Sequence, residues 1–423
     1  MEGEADDMSV STQNPSIPAG GIKLLLIARD FPPMIGGSCV VYDGICSTLG
    51  LDGTVLTGIV DHQRDACWDS QQSYQVYRSL SLTQVASPLG RDPFSRLFRG
   101  AYVYVWQRLC AAVLTRRIVR QTRPDVVCIG SFVHYWLAAL LRKVLHVPVI
   151  FYMHGEELTN PDQSRIVGTR NFAALREAEG VIAVSRFTRT KLIELGVSPD
   201  RIALIPNGID LRRFTPGEKD TELLEKYGVL GKTILLTVGR FEERKGHATV
   251  LRSLQNIVQS HPEVAYLIVG SSDGLPNHGL EQLARTLGIS EHVVFAGRVP
   301  AEQLPRFYQA SDIFVMPNHT LPNGDTEGFG LVFLEAAACG KPVIGGRDGG
   351  VPDAVVDGET GILVDGASVP EVTNAVLRLL RDPELAAGLA RNGLRRVQKM
   401  GSDVSIQKFR DFCGVICEQY GHR

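Results

Sequence analysis

The chain has 423 residues, 44% hydrophobic and 21% charged, which at about 150 residues per domain is enough for two or three globular domains. Its 44 Lys and Arg against 46 Asp and Glu leave a net charge of −2, which excludes a nucleic-acid binder that works through bulk charge. With 43 Gly and 22 Pro the chain is not low-complexity, and no apolar run reaches the roughly 18 residues of a membrane span.

Residues 1–21 carry Glu2, Glu4, Asp6 and Asp7 without an apolar centre, and read as a disordered acidic leader rather than a secretory signal. The apolar run Ile22–Ala28 follows, then Arg29-Asp30-Phe31-Pro32-Pro33-Met34-Ile35-Gly36-Gly37 and a helical run over 38–49. A glycine pair at a strand-to-helix turn lets backbone amides approach an anion at a helix start. An empty tight turn explains the pair equally well, and the G-x-G-x-x-G pattern of dinucleotide binding is absent. The stretch 91–123 holds eight arginines and a single acid, Asp92, with Phe94, Phe98, Tyr102, Tyr104 and Trp106 interleaved. A basic helix with an aromatic face suits an anionic membrane surface. The competing reading is a core-packed helix with solvated arginines, since Ala111, Ala112, Leu114 and Ile118 also read as core.

Further short apolar runs lie at 125–130, 147–153 and 181–184, and a second series at Thr233–Val238, 265–269, 293–296, Ile313–Met316 and 343–344. Runs of this length and composition are strands buried on both faces, and with helices between them they predict parallel α/β sheets. The rhythm breaks at 207–219, where Gly208, Pro216 and Gly217 mark an inter-domain linker. The expected division is a leader at 1–21, domains at 22–210 and 220–400 joined by 211–219, and a terminal helix in 401–423. That helix, with Ile406, Phe409, Phe412, Val415 and Ile416 at helical spacing, is expected to dock, crossing back to the first domain. Ligands of doubly wound sheets sit at the carboxyl ends of strands, so two such domains predict a site in the cleft between them. The eight cysteines are scattered without a C-x-x-C pair, which reads as buried small residues in a reduced cytoplasm.

Two loops carry the chemistry. After the strand Thr233–Val238 comes Gly239-Arg240-Phe241-Glu242-Glu243-Arg244-Lys245-Gly246, opening a helix near His247. A guanidinium fork at Arg240 and a mobile ammonium at Lys245 together suit a diphosphate; Glu242, Glu243 and Arg244 read as solvated charge. Farther on, Glu327 precedes Gly328-Phe329-Gly330, and Glu335 sits eight positions later in an apolar helix. At 1.5 Å per residue along a helix axis that spacing spans about 12 Å, the scale of an elongated nucleotide-sugar. The amides of Gly328, Phe329 and Gly330 would face a phosphate or sugar, and a carboxylate such as Glu335 in an apolar helix is costly unless paired.

The E-x7-E element Glu327…Glu335, followed by Gly340-Lys341-Pro342-Val343 and Gly349-Gly350-Val351-Pro352-Asp353, resembles the family 4 glycosyltransferases of the GT-B fold. So do Asn207-Gly208-Ile209-Asp210, Gly239-Arg240…Lys245-Gly246, Gly297-Arg298-Val299-Pro300 and the Pro32-Pro33…Gly36-Gly37 turn. The likeness spans about 22–420 and is strongest in the second half. It implies two Rossmann-like domains facing across a cleft, the first for the acceptor and the second for a GDP- or UDP-hexose. It implies that Arg240 and Lys245 bind the diphosphate, Glu335 the ribose, Glu327 the hexose, and Val299 the base through its backbone. Gly36 and Gly37 would touch the phosphates, and His154, in Met153-His154-Gly155-Glu156, would lie near the reacting sugar. Gly270-Ser271-Ser272-Asp273-Gly274 departs from the family's G-x-G-P turn. The expected activity is retaining transfer of an α-hexosyl group, with a lean to mannosyl from GDP-mannose, onto a glycan, lipid or small-molecule hydroxyl. No D-x-D occurs, no cofactor is expected, and the enzyme is expected in the cytoplasm or peripherally on the membrane's inner face. The competing functions are a synthase acting on a sugar phosphate and an inert donor-binding subunit.

Overall fold

The computed structural model describes residues 21–34, 36–48, 51–83, 93–159, 171–271 and 278–420, with side chains excepted at 93–104, 171 and 278. The first sheet holds β1 (Ile22–Ala28), β2 (Leu51–Thr57), β3 (Gln75–Arg78), β4 (Val126–Ile129), β5 (Val149–Met153), β6 (Gly180–Ala183) and β7 (Ile202–Leu204), in the order β3-β2-β1-β4-β5-β6-β7. The second holds β8 (Thr233–Val238), β9 (Val264–Val269), β10 (Val293–Gly297), β11 (Ile313–Met316), β12 (Val343–Gly346) and β13 (Ile362–Val364), in the order β10-β9-β8-β11-β12-β13. Every ladder is parallel. Strand order reverses between β1 and β4 and again between β8 and β11, and each reversal opens a crevice at the carboxyl ends of the strands.

The apolar runs of the sequence become the central strands, buried on both faces: β4, β5, β6, β9, β11 and β12 have no exposed residue. Four strands have no such run. β2 is interrupted by Asp52 and Gly53, β3 is the partly exposed edge Gln-Val-Tyr-Arg, and β7 and β13 are three residues long.

The chain crosses between the sheets twice, and the crossings bind each other. Ile209 donates its amide to Met400 and accepts from Ser402, at 3.0 and 2.8 Å, and Ser405 donates its hydroxyl to the Pro206 carbonyl at 2.7 Å. The helix Ser402–Tyr420 then packs on the first sheet. Phe409 lies 6.1 Å from Tyr152, and Phe412 covers Gly180 so closely that a Cβ there would fall 2.5 Å from its ring. Five cysteines are buried and Cys110 and Cys417 half-buried, but Cys67 is exposed; all eight are free thiols. Among the described residues no helix is long and apolar enough to cross a membrane.

Candidate active site

Both crevices face one another, and each supplies part of the site. In the first sheet, β5 runs directly into His154-Gly155-Glu156-Glu157. The amides of His154 and Gly155 donate to the Glu157 carboxylate at 3.1 and 2.9 Å, which folds the loop back on itself. Burial, with Glu156 adjacent, pushes the Glu157 pKa up to about 7. The His154 ring stacks on Tyr152 at 5.0 Å and meets the edge of Tyr42 at 5.3 Å. Tyr42 lies in the helix Gly37–Cys46 and donates its hydroxyl proton to the Gly130 carbonyl, which can only accept. The Tyr42 oxygen must therefore accept from His154 Nε2, 2.8 Å away, so the imidazole is the Nε2–H tautomer with Nδ1 as an acceptor. Burial pushes its pKa down to about 4, so the ring is neutral near pH 7.

In the second sheet, β8 leads through Gly239 and Arg240 into a 3-10 turn, Glu243–Lys245, and the helix His247–Ile257. Buried His247 donates from Nε2 to the Arg240 carbonyl at 3.1 Å, fixing the backbone at that cation. Arg240 is half exposed and pairs with Glu242 at 2.8 Å. Lys245 is paired with Glu327. Arg244 corrects the expectation of solvated charge. Its side chain is only 4% exposed, because the tight turn sends it inward under the loop. There it meets Glu242 at 2.7 Å, Glu327 at 2.9 Å, Glu156 at 3.3 Å and Asp325 at 3.6 Å. Glu242 belongs to the same network, and Glu243 alone of the three is exposed.

Glu327 is buried, which by itself would raise its pKa; Lys245 and Arg244 outweigh that and hold the carboxyl at about 2. It is ionised in all but strong acid. The helix carrying Glu335 begins only at Leu331, after Gly330 with φ +88°, so Glu327 stands off the helix and the 12 Å helical separation does not hold. Glu335, within that helix, is likewise largely buried. Burial raises its pKa, and the Tyr308 hydroxyl, donating at 2.5 Å, opposes the shift together with Arg213. Val299 is buried beyond β10.

The two halves touch at the glycines. A Cβ on Gly328 would overlap the His154 carbonyl oxygen, and one on Gly350 would overlap the carbonyl of Gly328. Only glycine permits this stacking of three backbone layers. A Cβ on Gly37 would lie 3.3 Å from Leu331 at the start of the second-domain helix, so the first-domain turn abuts that helix start as well. Gly36 precedes the first-domain helix in an extended conformation without a side-chain cap. Phe329 is buried between the two flanking glycines, and the Leu331 helix likewise has no side-chain cap. The structure thus gathers His154, Arg240, Lys245, Glu327, Gly37 and Gly328 on one rim. Glu335 turns instead toward Tyr308.

Three members of the site carry no signal of their own in the sequence. Glu156 crosses the cleft to Arg244 and, at 3.6 Å, to Arg240. Arg244 is the hub of the ion network, and Tyr42 sets the His154 tautomer. Glu156 follows a strand-end histidine and Arg244 precedes Lys245, so adjacency to recognised residues was the available clue; Tyr42 offered none. A second cross-domain pair joins Arg186 to Asp353, through the guanidinium at 2.6 Å and the backbone amide at 2.8 Å. Of the departing turn, Ser271 accepts from the Phe241 amide at 3.2 Å, and 272–277 lie outside the described residues.

Two doubly wound parallel-sheet domains facing across a cleft, with a network of cations and carboxylates at its rim, have the architecture of the GT-B glycosyltransferases. The family described as Glycosyltransferase Family 4 matches residues 81–213, and that described as Glycosyl transferases group 1 matches residues 220–396. A GDP-mannose-dependent alpha-(1-6)-phosphatidylinositol monomannoside mannosyltransferase of Mycobacterium tuberculosis H37Rv is 36% identical over 400 residues, covering 92% of this chain and 97% of its own. A D-inositol 3-phosphate glycosyltransferase of Acidothermus cellulolyticus is 30% identical, covering 65% and 64%. The solved Anabaena HepE in complex with UDP-glucose superposes with a TM-score of 0.72 at 21% identity, covering 94% and 99%, a likeness of fold. The chain belongs to the family 4 glycosyltransferases and is a nucleotide-sugar-dependent hexosyltransferase.

Proposed function

We propose that the chain transfers mannose from GDP-mannose, with retention of the α configuration and without a metal, to a hydroxyl of an inositol phospholipid glycoside met at an anionic membrane surface. The observation that carries this is the cluster in which Arg244 and Lys245 converge on Glu327 while Arg240 meets Glu156 of the His154 loop. Breaking an anomeric C–O bond leaves positive charge on the sugar and negative charge on the diphosphate. Preorganised cations and helix-start amides stabilise that leaving group. In this reading Arg240 and Lys245 bind the diphosphate, with Gly36, Gly37 and the amides of Gly328, Phe329 and Gly330 against phosphate or sugar. Arg244, locked among four carboxylates, holds the loop rather than the ligand. Glu327, kept ionised, accepts from hexose hydroxyls, and neutral His154 lies beside the reacting carbon as an acceptor. Glu335 takes the ribose and the Val299 backbone the base. The chain contains no D-x-D to clamp a metal, and its own cations supply the positive charge at the leaving group.

Mannose, the guanine base and the lipid acceptor come from the mycobacterial relative, identical at 36% over nearly the whole chain. The inositol phosphate relative favours a second reading, a soluble sugar-phosphate acceptor. The test is turnover of GDP-mannose, UDP-glucose and UDP-N-acetylglucosamine with phosphatidylinositol mannoside or inositol phosphate as acceptor, in EDTA. An α-mannosylated lipid, identified by its anomeric proton resonance and formed undiminished in chelator, is the expected product. A β product, loss in EDTA, or turnover only with a UDP-sugar overturns the proposal. Transfer only to inositol phosphate establishes the second reading, and failure to hydrolyse any donor establishes an inert subunit.

A further inference from the structure

The helix Pro93–Thr122 has one solvent face that changes character along its length. Val105, Trp106, Leu109 and Val113 are each more than half exposed, and Arg116, Arg117 and Arg120 follow them, also exposed. At 3.6 residues per turn these seven positions fall within roughly 120° of the helix circumference, a single stripe. The opposite face is spent on the core: Ala111, Thr115, Ile118 and Val119 are buried. No acid occurs from 93 to 122, so nothing on the helix neutralises its arginines. Leu80, 62% exposed, prolongs the apolar end, in the segment Leu80–Leu82 whose Leu80 carbonyl accepts from Gln107 at 3.4 Å.

The stripe has a direction. Leu80 follows the carboxyl end of β3, the edge of the sheet that faces the cleft, whereas Thr122 leads into the amino end of β4. The apolar residues therefore lie toward the cleft mouth, and the arginines lie away from it, with about 22 Å between Val105 and Arg120. We infer that this face is a membrane-docking surface for an anionic bilayer, with Val105, Leu109 and Val113 in the headgroup–acyl boundary and Arg116, Arg117 and Arg120 on lipid phosphates. An apolar face of this kind sinks about 5–10 Å into the interface. Charge complementarity selects the occupant, because a protein partner or a second copy would need acids to face the arginines. The orientation deepens the lipid-acceptor reading and rests on it for its purpose, since it brings the cleft mouth to the bilayer.

Flotation with vesicles of phosphatidylcholine, alone or mixed with phosphatidylglycerol, tests the docking without donor or acceptor. The chain should float with the anionic vesicles at low salt, and less at high salt. R116S/R117S/R120S should weaken that partitioning on the order of 100-fold. V105S/L109S/V113S should lose it while the melting temperature stays put, since none of the three is buried. Equal binding to both vesicle types, no binding at low salt, or triple variants that bind like wild type overturn the inference. So does a wild-type dimer in sedimentation that V105S/L109S/V113S dissociates. Docking with no transfer to a lipid acceptor would retain this surface and defeat only the lipid-acceptor reading.

Discussion

Arg240, Arg244 and Lys245 carry the same charge and do different work because they differ in exposure. Half-exposed Arg240 gives up only surface-like pairs when it meets a ligand, and such pairs are worth about 0–1 kcal/mol. Arg240→Ala should therefore keep the fold, and Lys245→Ala leaves Glu327 still paired with Arg244; both should lose transition-state stabilisation, with rates falling roughly 30- to 1,000-fold. Unchanged turnover in both would remove the diphosphate role. Arg244 is the opposite case. Replacing it by methionine takes the buried cation from among Glu242, Glu156, Asp325 and Glu327 and leaves Glu327 only Lys245, a loss on the order of 3–5 kcal/mol. A thermal melt should fall by roughly 10 °C. A variant melting within a degree or two of wild type would show that Arg244 is not the hub that the burial implies.

At the scale of elements, the central strands were legible because burial on both faces writes a continuous apolar run. The partly exposed edge strand β3 and β2, interrupted by Asp52 and Gly53, were not, since neither carries a continuous apolar run, and the three-residue strands β7 and β13 are too short to read. The turns of the site were legible for a different reason. Gly328, Gly330 and Gly246 punctuate the sequence wherever backbone must approach backbone or adopt positive φ. What could not be read is which side chains those turns bury. Arg244 looks like its neighbours until Glu156, Asp325 and Glu327 converge on it from distant segments. The glycine contact is also the point where closure can be tested. Gly328→Ala puts a methyl group into the His154 carbonyl, with backbone on both sides and nothing flexible to yield. The domains should be held apart, seen as a larger radius of gyration in small-angle scattering, and activity should fall more than about tenfold, since reacting groups displaced by 1 Å already cost about 100-fold. A variant as compact and as active as wild type would mean that the stacked glycines do not set the closed state.

The molecule as a whole holds several buried titratable groups away from their ordinary range, and their signs decide how it responds to acid. Burial pushes His134, His154 and His247 each down to about 4. Below pH 6.5 the unfolded chain protonates these imidazoles and the folded chain does not, so stability falls as the pH drops from 6.5 toward 4. Glu157 works against this. Held at about 7, it is protonated in the folded protein over a range where the unfolded chain is ionised, a stabilisation present below about 4.5 and lost as the pH rises through 7. Glu335, raised by burial, pulls the same way from the carboxylate range upward. Near pH 5.5 unfolding thus takes up three protons on histidines and releases one from Glu157. A net uptake of two corresponds to a slope of about 2–3 kcal/mol per pH unit. Below 4.5 Glu327, ionised down to about 2, adds to the loss, because the unfolded chain protonates that carboxyl first. Urea midpoints measured at intervals from pH 7.5 to 4.5 should fall steadily below 6.5. Midpoints that stay level or rise across that window would mean that the three imidazoles are charged in the folded protein, and with them the neutral His154 of the site would be lost.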